Sequence, residues 1–329
     1  PSGAGNSSLL QALAGLRDPT GGVILADGHD IYATSGPQPF GYVPQDDIVH
    51  PVLTVVQALR FAARLRLSGE TPRLELQKLL VQTMDQLGLR ERADLPISRL
   101  SGGQRKRVSV GVELLAKPPI LFLDEPSSGL DPATEAQLME LLRELTNTGC
   151  TIICTTHVLE HAYLFDELIV LCAGGLAYQG PPADARTFFN VPKLPLLYDR
   201  LGDRPAAEWR TAWEERAKEL PAPEAPEGKA PREKTRRSFA LLVLLARQWT
   251  ILSSDWRNFL ILAGQPLVIA ALVCWVTDDR SMVMFFAYLA TMWFGCSNAA
   301  QEIVKEIAIY RRERLVGIGT HSYLLAKLA

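Results

Sequence analysis

Residues 100–131 read LSGGQRKRVSVGVELLAKPPILFLDEPSSGLD, and they restrict the possible folds more than any other part of the chain. The stretch holds two devices suited to phosphate. The first is a turn, Ser101-Gly102-Gly103-Gln104, at the mouth of a helix expected over about 104–117. Ser101 can cap that helix. Gly102 and Gly103 remove side chains where a polyanion must approach backbone N–H groups, and the helix N-terminus adds partial positive charge toward that anion. The second device is the apolar run Ile-Leu-Phe-Leu at 120–123, too short for a buried helix and suited to a fully buried parallel strand. In an open α/β sheet, ligands sit at the carboxyl ends of strands. Asp124 and Glu125 stand at that end, one carboxylate suited to Mg²⁺ and one to polarising a water.

Residues 1–10 read PSGAGNSSLL. A P-loop is G-x-x-x-x-G-K-[ST], a glycine-rich turn feeding a helix whose N–H groups cradle phosphate. Its first glycine would precede residue 1. Gly3 and Gly5 fit the turn, Ser7 and Ser8 fit the hydroxyl positions, and Asn6 stands where the lysine belongs. A lysine brings positive charge to the β and γ phosphates. Replacing a charge-assisted hydrogen bond with a neutral one lowers affinity about ten- to a hundredfold, and hydrolysis more.

Further along, residues 23–32 suit a short strand pair around an Asp27-Gly28 turn. Residues 40–45, FGYVPQ, suit a strand ending in Gln45. Residues 54–99 change to helical periodicity, with Val55, Leu59, Ala62 and Ala63 on one face and Leu76, Leu79, Leu80, Met84 and Leu87 on another. Both stripes are core faces. Pro132 opens a helix running to about 148, with Gly149 as its stop. Residues 151–155 form another buried strand that leads to His157, and 167–171 with 176–178 form a closing hairpin.

The second half differs in kind. Prolines 221, 223, 226 and 231 punctuate a charged stretch, so 203–238 reads as a solvated linker, with a small helix around Trp209 and Trp213 before it. Residues 239–258 are amphipathic at helical spacing, interrupted by Arg247, and follow a basic flank. This suits a helix on a membrane surface. Residues 259–276 and 282–300 carry no charge, and the first would reach about 27 Å as a helix. They read as a transmembrane hairpin. Arg280 beside Asp278 and Asp279 marks the outer turn, whereas Lys305, Arg311, Arg312 and Arg314 mark the cytosolic side. Residues 301–314 form a charged helix there. The net charge of −2, with no strongly basic half, argues against a nucleic-acid partner. The five cysteines show no zinc spacing and read as reduced. The chain starts inside the P-loop-like motif and stops in an apolar run, so it is expected to be a fragment at both ends.

These pieces resemble the ATP-binding cassette (ABC) family: LSGGQ as its signature loop, ILFLDEP as Walker B, Ser128 to Asp131 as the D-loop, FGYVPQ as the Q-loop and TIICTTH as the H-loop. The departure is Asn6. The resemblance implies an α/β P-loop NTPase, an ABC cassette over 1–202 with a helical subdomain at about 54–100. An all-α transmembrane domain over 239–329 follows, its element at 301–314 a coupling helix. It implies ATP bound between two cassettes, in contact with Gly3, Ala4, Gly5, Asn6, Ser7, Ser8, Gln45, Ser101, Gly102, Gly103, Gln104 and Asp131. It implies Mg²⁺ on Ser7, Gln45 and Asp124, Glu125 as general base, His157 on the γ-phosphate, and Gln45 reaching the attacking water. The order of elements resembles the G subfamily of half-transporters and their ABC-2-type relatives. A second half-transporter, membrane lipid and an unidentified cargo would then be the partners. The setting would be a multi-pass protein of a bacterial inner membrane or its eukaryotic equivalent, with the cassette cytosolic. Two other readings stand beside this one. One is a catalytically weak, regulatory nucleotide-binding subunit of a heterodimer. The other is a soluble ABC ATPase of repair or translation, against which the uncharged runs count.

Overall fold

A computed structural model describes residues 5–33, 40–67, 71–218, 240–254, 256–276, 279–315 and 317–328. In chain order the elements are α1 (Asn6–Leu13), β1 (Leu25–Ala26), β2 (His29–Asp30), β3 (Gly41–Val43), α2 (Val55–Arg66), α3 (Arg73–Gln86), α4 (Gly102–Leu114), β4 (Ile120–Leu123), α5 (Pro132–Thr146), β5 (Thr151–Cys154), β6 (Leu168–Cys172), β7 (Gly175–Gly180), α6 (Pro182–Phe188), α7 (Leu197–Gly202), α8 (Ala206–Ala217), α9 (Ala240–Ser254), α10 (Trp256–Val276), α11 (Arg280–Leu315) and α12 (Thr320–Leu328). They divide into two compact units. One comprises Pro1–Asp47, Val81–Arg90 and Ser101–Thr235; the other comprises Ile48–Leu80, Glu91–Leu100 and Arg236–Ala329.

The first unit is built on a parallel sheet in the order β3-β4-β5. Val43 pairs with Leu123, and Leu123 with Cys154, so the three strands end level. The apolar run of β4 is buried because it has a strand on each side, and α1 packs Leu10 and Ala14 on its Phe122. Level strand ends deliver whatever follows them to one edge of the sheet: Gln45 after β3, Asp124 and Glu125 after β4, Thr155 and His157 after β5. The Asp27-Gly28 hairpin closes β1 on β2. The β6–β7 hairpin carries its own core, in which Tyr178, Phe189, Trp209 and Trp213 are buried. Tyr178 and Trp213 stack edge-on with ring centroids 5.2 Å apart. The small helix expected around Trp209 and Trp213 appears as α8, inside the stretch 203–238, because the two tryptophans share one helical face and fill this core. The rest of that linker, 219–239, lies outside the described residues.

In the second unit, α2 starts at a capping box in which Thr54 and Gln57 each accept from the other's backbone N–H, at 3.3 and 2.9 Å. Leu65, Leu244, Ile318 and Ala326 form a cluster that joins α2, α9 and the segment around α12. The amphipathic helix expected at 239–258 appears as α9, and Arg247 does not merely interrupt its apolar face. It is 5% exposed and makes a two-pronged ion pair with Glu313 of α11, with Nη2 3.0 Å from Oε2. His50 lies beside Glu306 in the same unit. Burial, and then the cations Arg247, Arg312 and Lys327, hold its pKa well below the usual histidine range, so it is neutral. The expected span at 282–300 and the expected coupling helix at 301–314 are one continuous helix of 36 residues, α11. Among the described residues no helix is long and apolar enough to cross a membrane. The spans expected at 259–276 and 282–300 are therefore not carried by those residues, and both runs include positions (259, 261–263 and 298–299) whose side chains lie outside the description.

Gly103 sits where α4 meets the first turn of α5. A Cβ there would lie 2.1 Å from Thr134 Cγ2. Thr134 cannot rotate freely, because its hydroxyl donates to Asp131 Oδ2 at 2.7 Å. Gly103→Ala is expected to destabilise the unit by about 1–3 kcal/mol. Thr134→Ser removes the methyl, keeps the hydroxyl, and should recover most of that loss in the thermal unfolding midpoint. An unchanged midpoint for Gly103→Ala alone would contradict this packing.

Candidate active site

The site grows from three structural ends. Gly5 takes φ 95° and precedes α1 with no side-chain cap, so the first amides of that helix have no acceptor within it. Such an end favours an anion. Asn6 and Ser8 lie in this first turn, where Arg17 donates to Ser8 Oγ at 3.5 Å. Gly3 and Ala4, also expected here, lie outside the described residues.

Ser7 connects that end to the second. Its hydroxyl donates to Asp124 Oδ1 at 2.9 Å. The Thr155 hydroxyl donates to the same oxygen at 2.7 Å and accepts from the backbone N–H of Glu125 at 2.9 Å. Tyr42 on β3 is a neighbour of Asp124. Burial first, and then the Asp124 charge, push its phenol up to about 12, so it stays protonated. Asp124 is only 5% exposed, and among the described residues no lysine or arginine pairs with it. A buried carboxylate held by neutral hydroxyls alone keeps its negative potential. Together with the Ser7 oxygen it forms a hard-oxygen donor set that fits Mg²⁺, which needs only one or two carboxylates because water and phosphate complete its shell. Among the described residues no cluster of three or more His, Cys, Asp or Glu is placed to hold a metal by itself.

Glu125 is the third end. Its φ of 42° is left-handed for a residue with a side chain, a strained conformation that neighbours must over-determine. The Thr155 bond to its N–H does part of this. Gln45 Nε2 lies 3.2 Å from Glu125 Oε2 and 3.4 Å from Ser128 Oγ. His157 Nδ1 lies 3.7 Å from the same carboxylate oxygen, with a largely exposed ring. The fold thus brings together Ser7, Gln45, Asp124, Glu125 and His157.

Ser101, Gly102, Gly103, Gln104 and Asp131 make no recorded contact with that group among the described residues. Ser101 Oγ accepts from Gln104 N–H at 3.4 Å, and Gln104 Oε1 accepts from Ser101 N–H at 3.1 Å, a complete capping box on α4. Asp131 caps α5, and its bonds from Thr134, the side-chain one foremost, hold its carboxyl below the usual range. A cavity of about 770 Å³ opens beside the site against α1, α5, β5 and β6, and its lining brings Asn6 and Thr155 from the site itself. Sequence reading missed Thr155 and Tyr42. Thr155 was findable, since a hydroxyl residue at the end of a parallel strand faces the ligand edge. Tyr42, in mid-strand, carried no signal.

Residues 1–128 match the family described as ABC transporter. The ATP-binding/permease protein Rv1747 of Mycobacterium tuberculosis is 33% identical over all of this chain, which spans 40% of that protein. The mouse broad substrate specificity ATP-binding cassette transporter ABCG2 is 39% identical over 57% of this chain, corresponding to 30% of its own length. ABC transporter G family member 28 of Arabidopsis thaliana is 39% identical over 58% of this chain and 18% of its own. The chain thus spans well under half the length of these relatives. The structure of cbiO1 from Clostridium perfringens, part of the ABC transporter complex cbiONQ, superposes with a TM-score of 0.52 and 30% identity over 57% of this chain and 76% of that one. Ser7, Gln45, Asp124 and Glu125 lie within the matched residues 1–128, and the chain carries a cassette of the ABC transporter family, with G-family relatives over that cassette.

Proposed function

We propose that this chain is the nucleotide-driven part of a membrane transporter: a half-transporter whose cassette binds ATP, hydrolyses it and drives cargo outward. The observation that carries this reading is the convergence of Ser7 and Thr155 on Asp124, with Glu125 one residue on and within reach of Gln45 and His157. The α1 N-terminus receives the phosphates. Ser7, Gln45 and Asp124 would hold Mg²⁺, which would supply neutralisation of phosphate charge. Glu125 takes the proton of the attacking water, Gln45 orients that water, and His157 contacts the γ-phosphate. Ser101–Gln104 and Asp131 face the nucleotide of a second cassette, which explains their distance from Asp124. The cassette comprises residues 1–202 with α8, and 239–329 begin the membrane domain.

The membrane part of this reading rests on uncovered apolar side chains. Trp275 is 84% exposed and Trp293 73%, and Leu267, Met284, Phe285 and Tyr288 on α10 and α11 are also open. So much exposed apolar surface requires a non-aqueous neighbour. The charges at 305–314 keep that end cytosolic. Asn6 favours a second reading, a catalytically weak nucleotide-binding subunit paired with a competent partner.

Three outcomes are expected. Glu125→Gln lowers ATP turnover by about 10²–10⁴-fold while nucleotide binding persists. Asn6→Lys raises ATP affinity about ten- to a hundredfold and turnover further; no gain in either would remove Asn6 as the limiting residue and with it the second reading. Alkaline carbonate extraction leaves the chain in the membrane pellet, whereas release into the supernatant would favour the soluble ABC ATPase.

A further inference from the structure

Lys106 lies in the second turn of α4, the helix headed by Ser101–Gln104, and its side chain is 4% exposed. Lysine is almost never buried unless its charge is matched. Here the ammonium donates to two carbonyls, that of Gln45 at 2.6 Å and that of Pro44 at 3.3 Å, and forms an ion pair with Asp47 Oδ1 at 3.3 Å. Asp47 is itself gripped from α4, by Ser109 Oγ at 3.3 Å and by Arg105 Nε at 3.8 Å.

The segment so held has left the sheet. The last paired residue of β3 is Val43, opposite Leu123, so the main chain from Pro44 onward has lost its ladder partners. Lys106 supplies donors in their place. Gln45 is bound at both ends: its carbonyl to Lys106, its side-chain Nε2 to Glu125 Oε2 at 3.2 Å. An unpaired backbone at this point would let the glutamine amide swing off the carboxylate.

We propose that Lys106 is a positioning residue for Glu125. It fixes the main chain of Gln45 so that the glutamine amide stays on the base, and it ties that contact to the helix that begins at Ser101. This rests on the reading of Glu125 as the base of ATP hydrolysis. A purely structural lysine would need the acceptors but not the load, and the load is what an experiment can isolate.

The test uses the full chain in membranes with Asn6→Lys as background. Lys106→Met is expected to lower kcat by about tenfold or more with KM for ATP within about twofold, because it acts on the base and not on binding. Lys106→Arg, which keeps the charge and the donors, should restore part of the loss. With Gln45→Ala already present, Lys106→Met should change kcat by less than about twofold, since a residue acting through another has nothing left to lose. Hydrogen exchange at 45–48 should accelerate in Lys106→Met while the melting temperature holds. Multiplicative effects of the two substitutions, or loss of nucleotide binding in step with melting temperature, would overturn the proposal. If the background itself shows no turnover, the assigned ATPase activity fails, and the exchange measurement still decides whether Lys106 holds the segment. If Lys106→Met does not fold, Lys106→Gln, which keeps one donor, takes its place in each arm.

Discussion

The Asp124 carboxylate is buried at the end of a strand, no lysine or arginine among the described residues pairs with it, and the cassette is arranged around that fact. A bare carboxylate in such a place costs several kcal/mol unless hydrogen bonds satisfy it. Ser7 from α1 and Thr155, just past the end of β5, supply them. Each donor belongs to a different element, so satisfying the charge also fixes the register of those elements at the carboxyl edge.

Glu125 shows the second half of this economy of parts. Its left-handed backbone turns the side chain away from the path of β4, and Thr155 secures the turn by accepting from its N–H. One threonine therefore serves both neighbouring carboxylates. Elsewhere in the same unit, polar residues act locally as helix caps, Ser101 with Gln104 on α4 and Asp131 on α5. Capping and ligand binding are compatible because both need the same thing, polar groups gathered at a helix N-terminus. Gly103 meets a steric demand, because α5 leaves no room for a methyl group.

The second unit answers a different problem. Arg247 and Glu313 are buried as a pair from α9 and α11, and such a pair sets which helix faces meet more than it adds stability. Elsewhere on α10 and α11 large apolar side chains face outward. That distribution is the inverse of a helix bundle in water and is what the proposed lipid surroundings would cover.

Much of this was readable before any coordinates. The strands at 120–123 and 151–154, the Ser101 cap, the Pro132 start and the Asp27-Gly28 turn depend on side-chain periodicity and backbone preferences that act within a few residues, and a chain carries those openly. The pairing of Asp124 with Glu125 at a strand end belongs to the same class. Thr155 as the shared donor, Tyr42 as a protonated neighbour, Lys106 as the clamp on Gln45, Arg247 as a buried partner and α8 as part of a core were not readable. Each depends on which distant residue is brought near: Ser7 meets Asp124 across 117 positions, and Arg247 meets Glu313 across 66. The unbroken course of α11 through residue 300 escaped too, since a change from apolar to charged side chains looks like a boundary while the backbone ladder passes through it. Local chemistry determined the elements and named the motif. Only packing decided which polar group satisfies which, because a buried charge takes its partners from space and not from sequence.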